Sequence, residues 1–375
     1  MPEGQLAVVF GGPSPEHDIS ILTGLLCERV LREAGHDVLP VYWTRTGEWV
    51  LSPAGLEAKD YLEGAPKAAT RLTLDLRAGF GVKKGLGGAK PLAIDAALNC
   101  CHGGAGENGG LNALFDILEI PLSGGPAPLA ALGMDKLAFG AVLAAAGIPT
   151  LPRIALTPSI AADDVPFAGP YIVKPRFGGS SIGIEIVEDL ATATALLRTS
   201  VQLRAGAVLE PFSTGAVDLN MAFRTSPTVS VSLLEKPLAP TAETGIYSYA
   251  QKYLQADGLS AAPRELPAQV APEVAAEAER ITRAVVAATG LRGVMRLDLL
   301  LVDGVLYANE VNSVPGSLSL YLWPASTNPA ELLLSAVAEA RATQGLLSAG
   351  ASFEPGVALR AAGGMAGKLG QIGAR

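Results

Sequence analysis

Apolar positions fall in two different periods along the chain, and the switch between them marks out the elements. Residues 5–12, "QLAVVFGG", form an apolar run closed by glycines, which predicts a buried strand. From about Asp18 to Arg32 the spacing becomes helical, with Ile19, Leu22, Leu26 and Val30 on one stripe and Gly35 as the stop. "DVLPVYW" and "AIDAALNCCHGG" predict two more strands, the second followed by a helix over "LNALFDILEI". This alternation predicts an open parallel sheet over the first 125 or so residues. Ligands of such sheets gather beyond the carboxyl ends of strands. The glycine-rich stretches "FGGPSPEHDIS" and "HGGAGENGG" both sit at such ends.

Further along, "MDKLAFGAVLAAAGIP" predicts a helix stopped by Gly147 and Pro149. "PYIVKP" and "IGIEIVED" predict strands joined by "RFGGSS", and "AVLEPF" and "AVDLNMAF" predict two more. Residues 235–267 are polar and without a clear period, which reads as a functional lid. A strong helix over "APEVAAEAERITRAVVAATG" precedes a hairpin turning at Asp303-Gly304, and a last helix covers "PAELLLSAVAEARA". The pattern divides the chain at about residues 125 and 347, leaving a Gly/Ala-rich tail over 348–375. No internal repeat is present.

Composition narrows the class. The chain has 375 residues, 49% apolar and 17% charged, which is globular rather than disordered and ample for several domains. A net charge of −8 speaks against a nucleic-acid surface. No apolar run approaches the roughly 18 residues of a membrane span. The N-terminus lacks a charged n-region and a cleavage site, so a cytoplasmic protein with no membrane partner is expected. Cys27, Cys100 and Cys101 are too few for a disulfide scaffold. The run "NCCHGG" suggests a thiol or metal site with His102. Strand neighbours point to opposite faces, however, so the expected reading is small buried hydrophobes.

Two segments carry candidate chemistry. In the hairpin, Arg296 and Asp298 share one face of "VMRLDLLLV", and Glu310 and Asn312 share one face of "VLYANEVN". A two-residue Asp303-Gly304 loop pairs Asp298 with Asn309 and turns Glu310 away. A three-residue loop starting at Val302 pairs Asp298 with Ala308 and Arg296 with Glu310. An odd loop or a bulge brings the four polar groups together, where a hard divalent cation offsets the cost of burying them. The plainer alternative is an Arg296–Glu310 ion pair. The second segment, "YIVKPRFGGSSIG", is a strand, a lysine and a glycine loop able to fold backbone N–H groups over phosphates. It is not a Walker loop, since Lys174 precedes the glycines, and no dinucleotide fingerprint opens a helix anywhere. Among ten lysines, Lys136, Lys174 and Lys252 fall in apolar or lid segments.

The ordered set "GGPSPEHDIS", "HGGAGENG", "GMDK", "IVKPRFGGSSIG", "VLEPF", "YSYAQKY", "MRLDLLLVDG" and "NEVNSVPG" resembles the D-alanine–D-alanine ligases of the ATP-grasp superfamily, across roughly residues 5–345. The resemblance implies an α/β and α+β chain. Its N-terminal Rossmann-like (pre-ATP-grasp) domain over 1–125 binds substrate. A central ATP-binding subdomain spans 126–214, and a C-terminal catalytic subdomain spans 215–347. The implied reaction is ATP-dependent. One D-alanine carboxylate becomes an acylphosphate, a second D-alanine attacks it, and the product serves peptidoglycan precursor synthesis.

Roles follow by position. Asp298, Glu310 and Asn312 match the ligands of Mg²⁺ (or Mn²⁺), two ions in the family. Lys136, Lys174 and Ser181 match ATP contacts, and Lys252 matches a lid lysine on phosphate. Glu210, Phe212 and Ser213 match the adenine hinge. Asp218 takes the place of the ribose-binding acid, displaced by an extra residue after Gly215. Glu16 matches the acid holding the first D-alanine's ammonium group, with Ser180 and Tyr253 linking to it by hydroxyls. Arg296 and the Gly316 N–H match the oxyanion stabilisers, and His102 matches a substrate-side histidine. A homodimer is implied.

The sequence also departs from this pattern. Asn108 stands where the family has an acid, and Phe177-Gly178 where charge is common. More consequentially, Tyr321 and Leu322 occupy the places of a serine and leucine that hold the second D-alanine's carboxylate, with Ser319 nearby as the other hydroxyl. A related carboxylate–amine ligase with a different second substrate is therefore the alternative reading. A nucleotide-binding protein without catalysis is disfavoured by the joint presence of Arg296, Asp298, Glu310 and Asn312.

Overall fold

In the computed structural model, residues 5–83, 88–238, 263–345 and 356–361 are described. Strand β1 (Gln5–Gly11) runs into helix α1 (His17–Glu33), with Asp18 in its first turn and Arg32 in its last, as the helix dipole favours. Gly24 lets α1 lie directly on β1, since a Cβ there would sit 2.4 Å from the Phe10 ring. Strands β2 (Val38–Trp43), β3 (Trp49–Leu51), β4 (Thr70–Asp75), β5 (Gly79–Lys83), β6 (Ala89–Pro91) and β7 (Ile94–Asn99) complete a seven-stranded sheet ordered β6-β5-β4-β3-β2-β1-β7. Only β2, β1 and β7 are parallel. The expected all-parallel sheet is thus a three-strand parallel core extended by an antiparallel meander. β4 and β6 are short and largely exposed, so they lack the apolar run that marks a buried strand.

The predicted helix over "MDKLAFGAVLAAAGIP" forms from Lys136 onward, and a separate helix ending at Met134 precedes it. Helices α2 (Gly104–Glu107), α3 (Gly110–Ile117) and α4 (Ala127–Met134) lead to Asp135, whose carboxylate accepts the N–H groups of Leu137 and Ala138 and so opens α5 (Lys136–Ala145). That cap places Lys136 at the first position of α5. A second sheet, ordered β10-β9-β11-β8, contains β8 (Ile154–Leu156), β9 (Tyr171–Pro175), β10 (Glu185–Val187) and β11 (Ala207–Pro211), with α6 (Leu190–Thr199) packed on it.

The third sheet runs β14-β13-β12-β15-β16, from β12 (Val217–Arg224), β13 (Ser230–Pro237), β14 (Arg264–Glu265), β15 (Val294–Val302) and β16 (Val305–Asn312). Both ends of the expected 235–267 loop are therefore strands, paired Lys236 with Glu265 and Pro237 with Arg264. Phe139 and Leu143 of α5, and Ile281 and Val285 of α7 (Pro272–Thr289), close one face of this sheet over Leu219, Met221, Leu297 and Leu299. Each such fully buried side chain contributes roughly 1.5–3 kcal/mol. The alternation of β15 then turns Arg296 and Asp298 to the opposite, open face. After β16 the chain passes through a 3₁₀ segment (Gly316–Leu322) into α8 (Pro329–Thr343), whose Leu333 and Val337 pack beside Val314 and Leu318 in the core of the first sheet. These elements belong to one compact unit ending at Gln344. The described part of the following segment holds a short helix, α9 (Val357–Ala361). No helix among the described residues is long and apolar enough to cross a membrane.

Candidate active site

A cleft of about 1160 Å³ is lined by residues of the second and third sheets, by α1 and the segment after β7 of the first sheet, and by the 3₁₀ segment. One wall of it is the β15–β16 hairpin. The turn has two residues, with Asp303 and Gly304 both left-handed (φ 50° and 78°), the form that suits a tight hairpin. Pairing runs Leu299 with Ala308, then jumps to Asp298 with Glu310 and Arg296 with Asn312, so Asn309 is a bulge. The bulge, not a three-residue turn, brings the polar groups together. It also replaces the expected partners: Asp298 faces Glu310, not Ala308, and Arg296 faces Asn312, not Glu310. Leu306 and Ala308 stay in the core while Glu310 and Asn312 reach the cleft.

Charge is balanced within this wall. Arg296 grips Asp298 through two bonds of 2.6 and 2.9 Å, and Asn312 donates to the same carboxylate at 2.9 Å. Glu310 pairs with Lys136 at 3.0 Å, and Lys136 also donates to the Gly178 carbonyl of the glycine loop. Two carboxylates and a side-chain amide, on directly paired positions and facing protein cations, form a hard-oxygen set that fits Mg²⁺ or Mn²⁺. No group of three His, Cys, Asp or Glu suited to a metal occurs among the described residues, and here the third donor is Asn312.

Farther along the cleft, Lys174 donates to Glu210 at 2.8 Å and to the bulged Asn309 at 3.4 Å. Arg153, which sequence reading passed over, lies 3.3 Å from Glu210 and donates to the carbonyls of Lys136 and Asn309. Burial opposes ionisation of Glu210, but Lys174 and Arg153 outweigh it and hold the carboxyl below its ordinary range. Phe212, Ser213 and Asp218 line the same end, as does Ser181.

At the opposite end, Ser180 donates to Glu16, and a Cβ on Gly103 would collide with the Glu16 carboxylate. Glu107 accepts the N–H groups of Gly103 and Val314 and the Ser313 hydroxyl, tying the first-sheet loop to the strand end after Asn312. Burial, with Glu16 nearby, pushes Glu107 up to about 7. His102 shares a 2.9 Å bond with Thr23, whose hydroxyl accepts the Ser317 N–H just after Gly316. Burial and Arg296 push His102 down to about 3, so it stays neutral. Cys100 and Cys101 are buried on opposite sides of the first sheet, and neither joins His102.

Strained backbone gathers here. Ser180, Ser181, Ser317, Leu318 and Ser319 have φ between 44° and 57°, left-handed values that cost a non-glycine residue about 1–3 kcal/mol each. Tyr321 lines the cleft, whereas Ser319 and Leu322 are fully buried and do not. Of the two hydroxyls considered for the second substrate's carboxylate, the tyrosine is the one in reach. Lys252 and Tyr253 lie outside the described residues. Besides Arg153, the residues that sequence reading missed are Thr23, Glu235, Arg264 and Asn309. Asn309 alone carried a visible signal, as a third polar side chain breaking the alternation of "YANEVN".

The fold is that of the ATP-grasp ligases. It is similar to the VanG D-Ala:D-Ser ligase from Enterococcus faecalis (TM-score 0.72, 21% identity, covering 90% of this chain and 99% of that one). It is equally similar to D-alanyl-alanine synthetase A from Vibrio cholerae (TM-score 0.73, 21% identity, 91% and 99%). Models of the D-ala D-ala ligase N-terminus and C-terminus match residues 5–125 and 143–336. The chain is 30% identical to the D-alanine–D-alanine ligase of Corynebacterium aurimucosum, over 85% of this chain and 91% of that protein. It is also 30% identical to that of Mycolicibacterium smegmatis, over 91% and 96%. It belongs to the D-alanine–D-alanine ligase family.

Proposed function

We propose that the chain is an ATP-dependent, ADP-forming ligase that joins two D-alanines through an acylphosphate, for peptidoglycan precursor synthesis in the cytoplasm. The observation that carries this reading is the bulge at Asn309. It sets Asp298, Glu310 and Asn312 on one cleft face with Arg296, between a lysine-lined end and the Glu16–Ser180 pair.

Lys136 and Lys174, with Ser181, orient the phosphates of ATP, while Glu210, Phe212 and Ser213 border the adenine and Asp218 the ribose. Asp298, Glu310 and Asn312 would hold Mg²⁺, as two ions, which would supply neutralisation of the charge developing during phosphoryl transfer. Glu16 takes the ammonium group of the first D-alanine, and Ser180 fixes the carboxylate that receives it. Phosphoryl transfer to the substrate carboxylate breaks the terminal P–O bond of ATP and leaves ADP. The second amine then forms the peptide bond, and Arg296 with the Gly316 N–H stabilises the oxyanion before phosphate departs. His102, neutral and fixed through Thr23, holds the Gly316–Ser317 backbone in place for that role. The N-terminal domain, the two ATP-grasp subdomains and a homodimeric assembly complete the reading. No nucleic acid or membrane partner enters it.

A second reading, ligation to an amine other than D-alanine, is favoured by one observation: Tyr321 occupies the cleft wall. A phosphate-release assay with ATP, Mg²⁺ and single or paired amino acids separates the two. D-alanine alone is expected to support turnover and yield the dipeptide. Turnover only when another amine is added supports the second reading.

A further inference from the structure

Three side chains beside Tyr321 at one corner of the cleft, Glu235, Asn220 and Arg264, have no part in the reaction as described so far. Glu235 on β13 is almost fully buried and accepts from Asn220 at 3.0 Å and from the Tyr321 hydroxyl at 3.4 Å. Arg264 on β14 lies 3.4 Å from the other Glu235 oxygen, and its guanidinium stacks 4.5 Å over the Tyr321 ring. All four line the cleft, and Arg296 and Asp298 stand within electrostatic reach of Tyr321. Glu235, Asn220, Asp298 and Glu310 occupy paired positions straight across four strands, so this corner continues the row that forms the hairpin wall.

The charges there have distinct standing. Arg296 is committed to Asp298 in a two-bond grip. Glu235 has both oxygens engaged and about 3% of its surface accessible, which leaves no room for it to receive a cationic substrate. Arg264 keeps 21% of its side chain accessible. It is held by a ring on one side and a buried carboxylate on the other, which fixes the plane of its forked donors. A pre-oriented guanidinium of this kind suits a carboxylate.

We propose that Arg264 binds the α-carboxylate of the second substrate, with Tyr321 and Glu235 as the residues that position it. The acceptor is then an amino acid rather than a simple amine. The Tyr321 ring takes up space beside it, so a small side chain is preferred. This rests on the ligase reading above.

The test uses the full chain with ATP, Mg²⁺ and D-alanine, and compares D-alanine with D-alaninamide as acceptor by mass spectrometry of the products. The wild type is expected to favour the free acid by about 100-fold or more in kcat/KM. Arg264→Ala should raise the second-site KM for D-alanine at least tenfold and erase most of that preference, without moving the first-site KM. Arg264→Lys should recover part of the preference as a point charge, and Tyr321→Phe, which keeps the stacked ring, should fall between. Equal use of acid and amide by the wild type overturns the proposal whether or not any variant folds. So does an Arg264→Ala variant that slows both acceptors alike. If D-alanine fails as an acceptor but another amino acid works, that amino acid and its amide decide the question, and only the identity of the product is lost. No turnover with any acceptor overturns the ligase reading and this one together.

Discussion

Glu107 and His102 stand five residues apart on one loop and are driven in opposite directions by the same burial. Glu107 is raised from 4.5 to about 7 by burial and then by Glu16. It therefore contributes stability that is fully present below about pH 4.5 and is lost as pH rises through about 7. His102 is lowered from 6.5 to about 3 by burial and by Arg296, so its contribution is present above about 6.5 and is lost as pH falls toward 3. The two slopes oppose each other, so the wild-type melting profile alone does not separate them. Subtracting the profile of Glu107→Gln from that of the wild type should leave a stability difference that declines with rising pH between about 4.5 and 7. A flat difference contradicts the assignment. At Asp298 the expected loss is catalytic: Asp298→Asn should lower turnover by about 100-fold or more, with Mg²⁺ titration showing weakened activation. Much of this was legible residue by residue, because alternation places Arg296 with Asp298 and Glu310 with Asn312. What alternation could not tell is which face the second pair joins, since that depends on one inserted residue.

At the scale of elements, that inserted residue is part of a wider lock. Asn309 bulges out of β16 and is held by Lys174 from the second sheet and by Arg153, which also holds the Lys136 carbonyl on α5. Arg153 reaches this place because residue 140 is glycine; a Cβ there would stand 2.6 Å from Arg153 Cδ. Gly140→Ala thus gains about 1 kcal/mol of helix propensity but crowds a side chain pinned by three partners, at a cost of about 1–3 kcal/mol. A net destabilisation is expected in urea unfolding, and the crowding should vanish in the Gly140→Ala/Arg153→Ala double variant, which makes the two changes non-additive. Deleting Asn309 should return the hairpin to unbulged register with Glu310 still opposite Asp298, but it removes the residue that Lys174 and Arg153 hold, so a loss of stability is expected in the same urea unfolding. Long periodic elements such as α1, α7 and β15 were readable from spacing alone. The meander β3–β6 and the strand β14 were not, because β3, β6 and β14 have only two or three residues and β4 is largely exposed, which leaves too few apolar positions to show a period. Arg153 gave no signal because its partners Lys136, Glu210 and Asn309 come from three segments distant in sequence.

For the molecule as a whole, the second and third sheets meet α1 and the segment after β7 around one cleft, and α8 returns to pack in the core of the first sheet. The Gly316–Leu322 segment is thereby fastened between the β15–β16 hairpin and the helix that follows Glu16. A nucleotide bound in this cleft stabilises the folded chain by mass action. Near 100 times its Kd, ATP with Mg²⁺ should add about 2.7 kcal/mol, seen as a raised melting temperature that Asp298→Asn diminishes. The central claim, that this cleft activates a carboxylate by phosphorylating it, is tested most directly with D-alanine labelled with ¹⁸O in its carboxylate. Turnover with ATP and Mg²⁺ is predicted to deliver one labelled oxygen into each phosphate released. Phosphate that carries no label, alongside dipeptide that keeps all of it, would contradict the account.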